Sequence, residues 1–256
     1  MIGFFRQPMH GAAKFLMPLE HSHSPRAIHD RIHGRKKNSY LGDWILGGID
    51  GAVTTFAIVA GVVGAALEAN IIIILGLANL LADGFSMAAS NYSAVKSDVD
   101  DIERLWAMEE HHIREVPEGE REEIRQILMA KGLSGGALEQ AVDAITANER
   151  TWIETMLVDE FGVLPETRNP LKAGFATFSA FVVCGAVPLL PFVFAIADPF
   201  RWAVVATGVV FFIIGAAKSL WALTPWYRSG LETLAIGLAA AGVAYGVGYW
   251  LEGLVG

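Results

Sequence analysis

The chain has 256 residues, of which 53% are hydrophobic and 18% charged, and its formal net charge is −8. A mean hydropathy of +0.42 is too apolar for an ordinary soluble domain. The negative charge also argues against a nucleic-acid partner. The single cysteine, Cys184, lies in an apolar run, which excludes a disulfide-stabilised scaffold.

Residues 1–40 are polar and interrupted by prolines, so no secretory signal is expected there. We interpret them as a flexible cytosolic N-terminal tail. Dense histidines can bind metal weakly, but a tail without fixed ligand geometry is the favoured interpretation. The histidines of this tail are His10, His21, His23, His29 and His33.

Long apolar runs follow the tail, and each has about the 20 residues that a helix needs to cross a lipid bilayer. They are Trp44–Leu67, Ile71–Val95, Ala173–Ala197, Trp202–Leu223 and Leu231–Leu251. The sequence therefore predicts transmembrane helices 1 and 2 within residues 41–96 and helices 3 to 5 within residues 171–256.

The orientation follows from the basic residues. Seven Lys and Arg residues but only three acidic residues precede Trp44. The positive-inside rule then places the N-terminus in the cytosol. The segment between the second and third spans, residues 97–170, is predicted to be cytosolic as well.

This segment is strongly acidic, with 18 Asp and Glu residues against 7 Lys and Arg residues. Span two is predicted to continue as a helix to about Glu115, before Pro117. Further helices are expected at residues 118–130, from about Ser134, and at residues 148–161. The predicted fold is an all-α integral membrane protein of five transmembrane helices, with a cytosolic acidic helical metal-binding domain inserted between helices 2 and 3.

Helical periodicity places a minority of these acids on apolar stripes. A carboxylate on a packing face is costly unless it is paired or bound to metal, and the nearby bases are too few to pair all of them. Oxygen ligands with an imidazole and a thioether suit Mn²⁺ or Fe²⁺ better than a closed zinc site. The predicted metal ligands of this domain are Glu109, His112, Glu120, Glu123, Met156 and Glu160.

The membrane spans contain a second group of polar residues. Asp50 and Asp83 lie well inside apolar sequence, where ionisable groups are expensive and mark functional positions. Asn79, Asp83 and Met87 recur at i, i+4 and i+8, so they share one helix face. We predict that these residues line a path for a partly dehydrated metal ion.

Four features together resemble the vacuolar iron transporter family. They are Asp50-Gly51 in span one, Gly84-Phe85-Ser86-Met87 in span two, the acidic helices, and residues 185–192 (GAVPLLPF) in span three. The resemblance covers Leu41 to about Glu252, and the order and spacing of the features make it specific.

The resemblance implies a homodimeric, proton-coupled transporter and not an enzyme. It would move Fe²⁺, and often Mn²⁺, out of the cytosol without a prosthetic group. In the family an aspartate and a methionine line the path, and these match Asp50 and Met87. Metal ligands of the family's cytosolic domain match Glu109, Glu120, Glu123, Met156 and Glu160. The chain departs from the family at Asn79 and His112, where a glutamate is usual.

Two other function classes stay open at this point. Glu109-x-x-His112 has the spacing of half a ferritin-like di-iron motif, which would suit a membrane-tethered ferroxidase, although no second Glu-x-x-His is found. A metal sensor or membrane adaptor would leave Asp50 and Asp83 unexplained. The expected location is the bacterial inner membrane, or a vacuolar membrane if the source is eukaryotic.

Overall fold

The computed structural model describes residues 22–34, 39–165, 167–221 and 223–255, and every regular element in these ranges is helical. The chain divides between Asn38 and Ser39 into two units. In the first, α1 covers Pro25–His33, and the hydroxyl of Ser24 accepts a hydrogen bond from the amide of Ala27 at 3.3 Å. His10 and His21 lie outside the described residues.

The second unit contains five helices that are long and apolar enough to span a membrane, as predicted. In chain order they are α2 (Leu41–Gly64), α3 (Ala69–Glu115), α7 (Pro170–Ala186, whose span continues to Val193), α9 (Pro199–Lys218) and α10 (Trp226–Val255).

The second candidate span is part of a helix much longer than a membrane requires, because α3 runs without a break for 47 residues and ends at Glu115. Pro117 is the first residue of the next helix. The backbone N–H that proline lacks would have no partner within the helix at this position. The acidic segment is completed by α4 (Pro117–Ala130), α5 (Gly135–Thr146) and α6 (Glu149–Asp159). The predicted long helix and the three helices after it are confirmed.

The helices of the acidic segment enclose a small apolar core of their own. Ile124, Val142, Trp152 and Met156 are buried together there. Ion pairs join the helices around this core: Arg121 with Asp143, Arg125 with Glu139, and Lys131 with Asp159. Most bases of the segment are thus bound to exposed acids, and few remain for the buried ones.

The membrane helices α2 and α7 approach each other backbone to backbone. A Cβ atom added at Gly47 would lie 2.2 Å from the carbonyl oxygen of Thr177, and one at Gly51 would lie 2.3 Å from that of Phe181. The two glycines are four residues apart, so they share one face of α2. Small residues at this spacing allow close packing of helices in lipid, where apolar burial alone provides no driving force between helices.

The third span changes its helix type at its prolines. The α-helix ends at Ala186, a 3-10 turn covers Val187–Leu189, and α8 (Leu190–Val193) completes the span. Pro188 and Pro191 cannot donate backbone hydrogen bonds to the preceding turn. The two prolines therefore interrupt the regular α-helix in span three.

The α2–α7 contact makes Gly51→Ala a sharp test of the fold. We expect this variant to lose about 1–3 kcal/mol of stability, because the added methyl group would meet backbone and not a movable side chain. The measurement is thermal unfolding in detergent.

Gly246→Ala is the matched control, because a Cβ at Gly246 has no neighbour within 4 Å. That variant should be neutral or slightly stabilising, since alanine favours the helix. Equal stability of the two variants would contradict the close approach of α2 and α7.

Candidate metal centre

Three of the predicted ligands meet where α3 ends and α4 begins. The chain reverses at Val116, so the first turn of α4 lies beside the last two turns of α3. This brings Glu120 next to Glu109 and His112. One ligand atom from each of the three side chains lies within 4.8 Å of the other two.

The three side chains differ in their access to water. Glu109 is 1% exposed and Glu120 is 6% exposed, whereas the His112 side chain is 45% exposed. Nδ1 of His112 lies 3.4 Å from Glu120 Oε1 and 3.9 Å from Glu109 Oε1. The imidazole therefore closes the solvent side of a buried carboxylate pair.

Burial and mutual repulsion shift the titration of this cluster. Burial, followed by the charges of Glu120, Glu160 and Glu123, raises the pKa of Glu109 to about 7. Burial and the charge of Glu123 also raise the pKa of Glu120, and His112 opposes this shift. The cluster is therefore short of positive charge at neutral pH.

Glu123 and Glu160 form an outer part of the same acidic group. Together with Glu122, Gln126 and Ile127 they line a hollow of about 240 Å³. Burial and the charges of Glu123 and Glu120 raise the pKa of Glu160. Glu160 lies just after α6, so residues of α3, of α4 and of the end of α6 contribute to this acidic group.

Met156 is placed differently from the acids. Its side chain is fully buried in the apolar core of the acidic segment, beside Ile124 and Trp152. In this position it packs with Ile124 of α4, the helix that also carries Glu120.

The donor set fits a divalent cation. Oε2 of Glu109 and Oε2 of Glu120 are buried and have no hydrogen-bond partner, and such oxygens are costly without one. A dication between the two carboxylates would satisfy both atoms and remove their repulsion. Carboxylate oxygens with one imidazole suit Mn²⁺ or Fe²⁺ and leave positions for further ligands.

The membrane residues predicted for the path lie along α2 and α3. Asp50, Asn79, Asp83 and Met87 are all partly buried, and the Asp50 and Asp83 carboxylates are close enough to interact electrostatically. The amide nitrogen of Asn79 donates to the hydroxyls of Thr54 at 3.2 Å and Thr55 at 3.3 Å.

Met87 packs against the apolar cluster around Phe56 and Phe181. Asn79, Asp83 and Met87, together with Asp50 of α2, are called the polar stripe below.

Residues missed by sequence analysis extend the polar stripe. Asn91 follows Met87 by one more helical turn, and its amide nitrogen donates to Asp43 Oδ1 at 2.9 Å and to Thr177 Oγ1 at 2.7 Å. Arg168 pairs with the other oxygen of Asp43. Asn91 continues the four-residue repeat of Asn79, Asp83 and Met87, and this repeat was a signal for it. No local sequence pattern indicates Arg168.

Comparison with known proteins supports the assignment to a family. The family model described as VIT family matches residues 41–249. A protein named vacuolar iron transporter from Toxoplasma gondii is 32% identical over 240 residues, covering 89% of this chain and 80% of that protein.

Plant proteins give the same result. Vacuolar iron transporter 1 of Arabidopsis thaliana is 32% identical, covering 79% of this chain and 82% of that protein. Vacuolar iron transporter 2 of Oryza sativa subsp. japonica is 34% identical, covering 80% and 85%.

Glu109→Gln tests the buried cluster as a metal site. The amide is neutral and binds a cation poorly, so we expect Mn²⁺ affinity to fall roughly 10- to 100-fold. Isothermal titration of the detergent-solubilised chain measures the change. Glu110→Gln is the control, because the Glu110 side chain is 44% exposed and pairs with Arg114. Equal affinities of both variants would remove Glu109 from the site.

The raised pKa of Glu109, about 7, predicts a pH dependence with a definite sign. Below pH 7 a proton competes with metal, so Mn²⁺ affinity should fall by about tenfold per pH unit. Above pH 7 the affinity should level off. Without metal the sign is opposite for stability: an acid whose pKa is raised by folding stabilises the fold at low pH, and this contribution is lost as pH rises through about 7.

Both effects can be followed on one sample, by titration and by thermal unfolding between pH 5 and pH 8. Glu109→Gln should flatten both pH profiles. A wild-type affinity that does not change between pH 5 and pH 8 would contradict the assignment.

Proposed function

The chain belongs to the VIT family, and on this premise we propose that it carries Fe²⁺, and also Mn²⁺, out of the cytosol in exchange for protons. The observation that supports this most is the buried pair of Glu109 and Glu120, with unsatisfied oxygens that suit a dication. The helix that carries Glu109 continues into the membrane and also carries Asp83. One helix therefore joins a candidate metal centre to the polar stripe.

We propose that two parts of the chain have separate roles, one in collecting metal and one in transporting it. Residues 97–170 form a cytosolic domain that collects metal, because their net charge of −11 raises the local concentration of cations. Residues 41–96 and 171–256 form the transport unit. The basic residues before Trp44 support the cytosolic placement of the collecting domain.

Within the membrane, we propose that Asp50 and Asp83 alternate between metal and protons. A carboxylate oxygen binds either a proton or a metal ion, so binding of one releases the other. Two such groups in electrostatic contact favour a dication over two separate negative charges. Asn79 provides a neutral oxygen and Met87 a soft sulfur on the same face of α3, which suits a partly dehydrated transition-metal ion.

A homodimer would complete this path. Asp50, Asp83 and Met87 are only partly buried in the single chain, and Leu75, one turn before Asn79, is 46% exposed. A carboxylate at a lipid-facing surface is expensive, whereas one facing a protein-lined cavity is tolerated. We propose that a second copy packs along this side of α3 and encloses the polar stripe.

Asp50→Asn tests transport directly. The amide is similar in size but binds neither a proton nor a dication well, so proton-coupled uptake of Fe²⁺ into proteoliposomes should fall to the level of empty vesicles. A chelating dye inside the vesicles measures uptake with a pH gradient imposed. Glu68→Gln is the control, because Glu68 is exposed and lies before α3, away from the polar stripe. Wild-type uptake by Asp50→Asn would overturn the proposed path.

A further inference from the structure

An ion pair lies at the end of the polar stripe from which α3 continues into the acidic segment. Asp43, in the first turn of α2, is 5% exposed. Its Oδ2 accepts a hydrogen bond from Arg168, which belongs to the connection between α6 and α7. Arg168, near the C-terminal end of the acidic segment, thus connects that segment to the first span.

This pair is placed in line with the proposed path. Asp43 precedes Asp50 by seven residues, about two helical turns, so the two carboxylates lie on the same side of α2. Asn91, which donates to Asp43 Oδ1 at 2.9 Å, lies one turn beyond Met87 on α3. Asp43 is therefore the next carboxylate of the polar stripe towards the collecting domain.

Arg168 does not form a full bidentate pair with Asp43. A bidentate arginine–carboxylate pair uses two parallel N–H groups, but the structure gives Arg168 one nitrogen on Oδ2, and its Nε is buried without a partner. The guanidinium carbon lies 5.5 Å from the centre of the Tyr40 ring, and the Tyr40 hydroxyl accepts from the amide of Asn169 at 3.1 Å. The guanidinium thus lies against the Tyr40 ring while it is bound to Asp43.

We propose that Arg168 is a tethered cation that occupies Asp43 until a divalent metal ion from the acidic segment displaces it. The inference rests on the proposed function and specifies how the inner end of the path is kept closed. An Asp43 carboxylate without a cation would be a buried charge without compensation. The guanidinium removes that cost between transport events, and a dication with twice the charge replaces it. In this role Arg168 and the incoming metal compete for the same carboxylate.

The competing explanation is that Arg168 is a fixed brace that only holds the chain in place. The two roles differ in their kinetics. Removing a competitor lowers the metal concentration needed for half-maximal uptake, whereas removing a brace lowers the maximal rate and the melting temperature and leaves that concentration unchanged.

The first experiment measures Mn²⁺ uptake into proteoliposomes as a function of Mn²⁺ concentration. For Arg168→Gln we expect KM to fall by about fivefold, because the free energy of a partly exposed ion pair corresponds to a factor of this order. Arg168→Lys, which keeps the charge, should return KM towards the wild-type value. An unchanged KM in Arg168→Gln, with a lower maximal rate, would overturn the proposal.

If Arg168→Gln does not fold, Tyr40→Leu provides the second variant. It keeps both charges but removes the ring that lies against the bound guanidinium and the hydroxyl that accepts from the backbone amide of Asn169. Arg168 should then be held less firmly on Asp43 and be easier to displace, so KM should fall; a KM equal to or above the wild-type value would overturn the displacement.

A binding experiment separates this inference from the proposed function. The full chain carrying Glu109→Gln and Glu120→Gln is titrated with Mn²⁺ in detergent and followed by electron paramagnetic resonance. Adding Arg168→Gln should tighten one Mn²⁺ site by about fivefold, and adding Asp43→Asn as well should remove that site. If the wild type moves no metal, the proposed function fails, and this titration alone decides the inference. No tightening on adding Arg168→Gln would refute the competition.

Discussion

A carboxylate that leaves water needs a cation, and this constraint governs the arrangement of the whole chain. Asp43 meets the need with Arg168. Glu109 and Glu120 meet it only in part, because His112 approaches one oxygen of each and the other oxygens stay unpaired. Arg121, Arg125 and Lys131, which lie around the apolar core of the acidic segment, are bound to exposed acids. Among the described residues, the fold therefore pairs Asp43 within the chain and leaves one oxygen of Glu109 and one of Glu120 without a partner.

The length of α3 decides how the two groups of carboxylates work together. With a rise of 1.5 Å per residue, Glu109 lies about 33 Å from Met87 along this helix. No metal ion can bind both at once, so the proposed collection and the proposed transport are separate events. The helix is continuous across that distance, so one regular element joins the two groups of carboxylates.

Local patterns predicted most of this architecture. Apolar runs of membrane length, Pro117 and the glycines after α4 and α6 produce signals within a few residues, and the helices follow them closely. Glu109 and Glu120 could be recognised because each interrupts an apolar stripe, and both are buried. Arg168 and Asp43 are 125 residues apart, and neither interrupts a pattern. Such a contact depends on how α2, α3 and α7 pack, which periodicity does not contain.

The ions that compete for these carboxylates form an ordered series. Glu109 takes up a proton near neutral pH because burial and neighbouring acids raise its pKa to about 7. Asp43 holds a guanidinium that is attached to the chain and cannot diffuse away. In the proposed path, a dication displaces each of them through its larger charge when its local concentration is high enough, which the acidic surface favours. Under the proposed function, each step towards the membrane exchanges one kind of cation for another at a carboxylate, and no buried carboxylate is left without a cation.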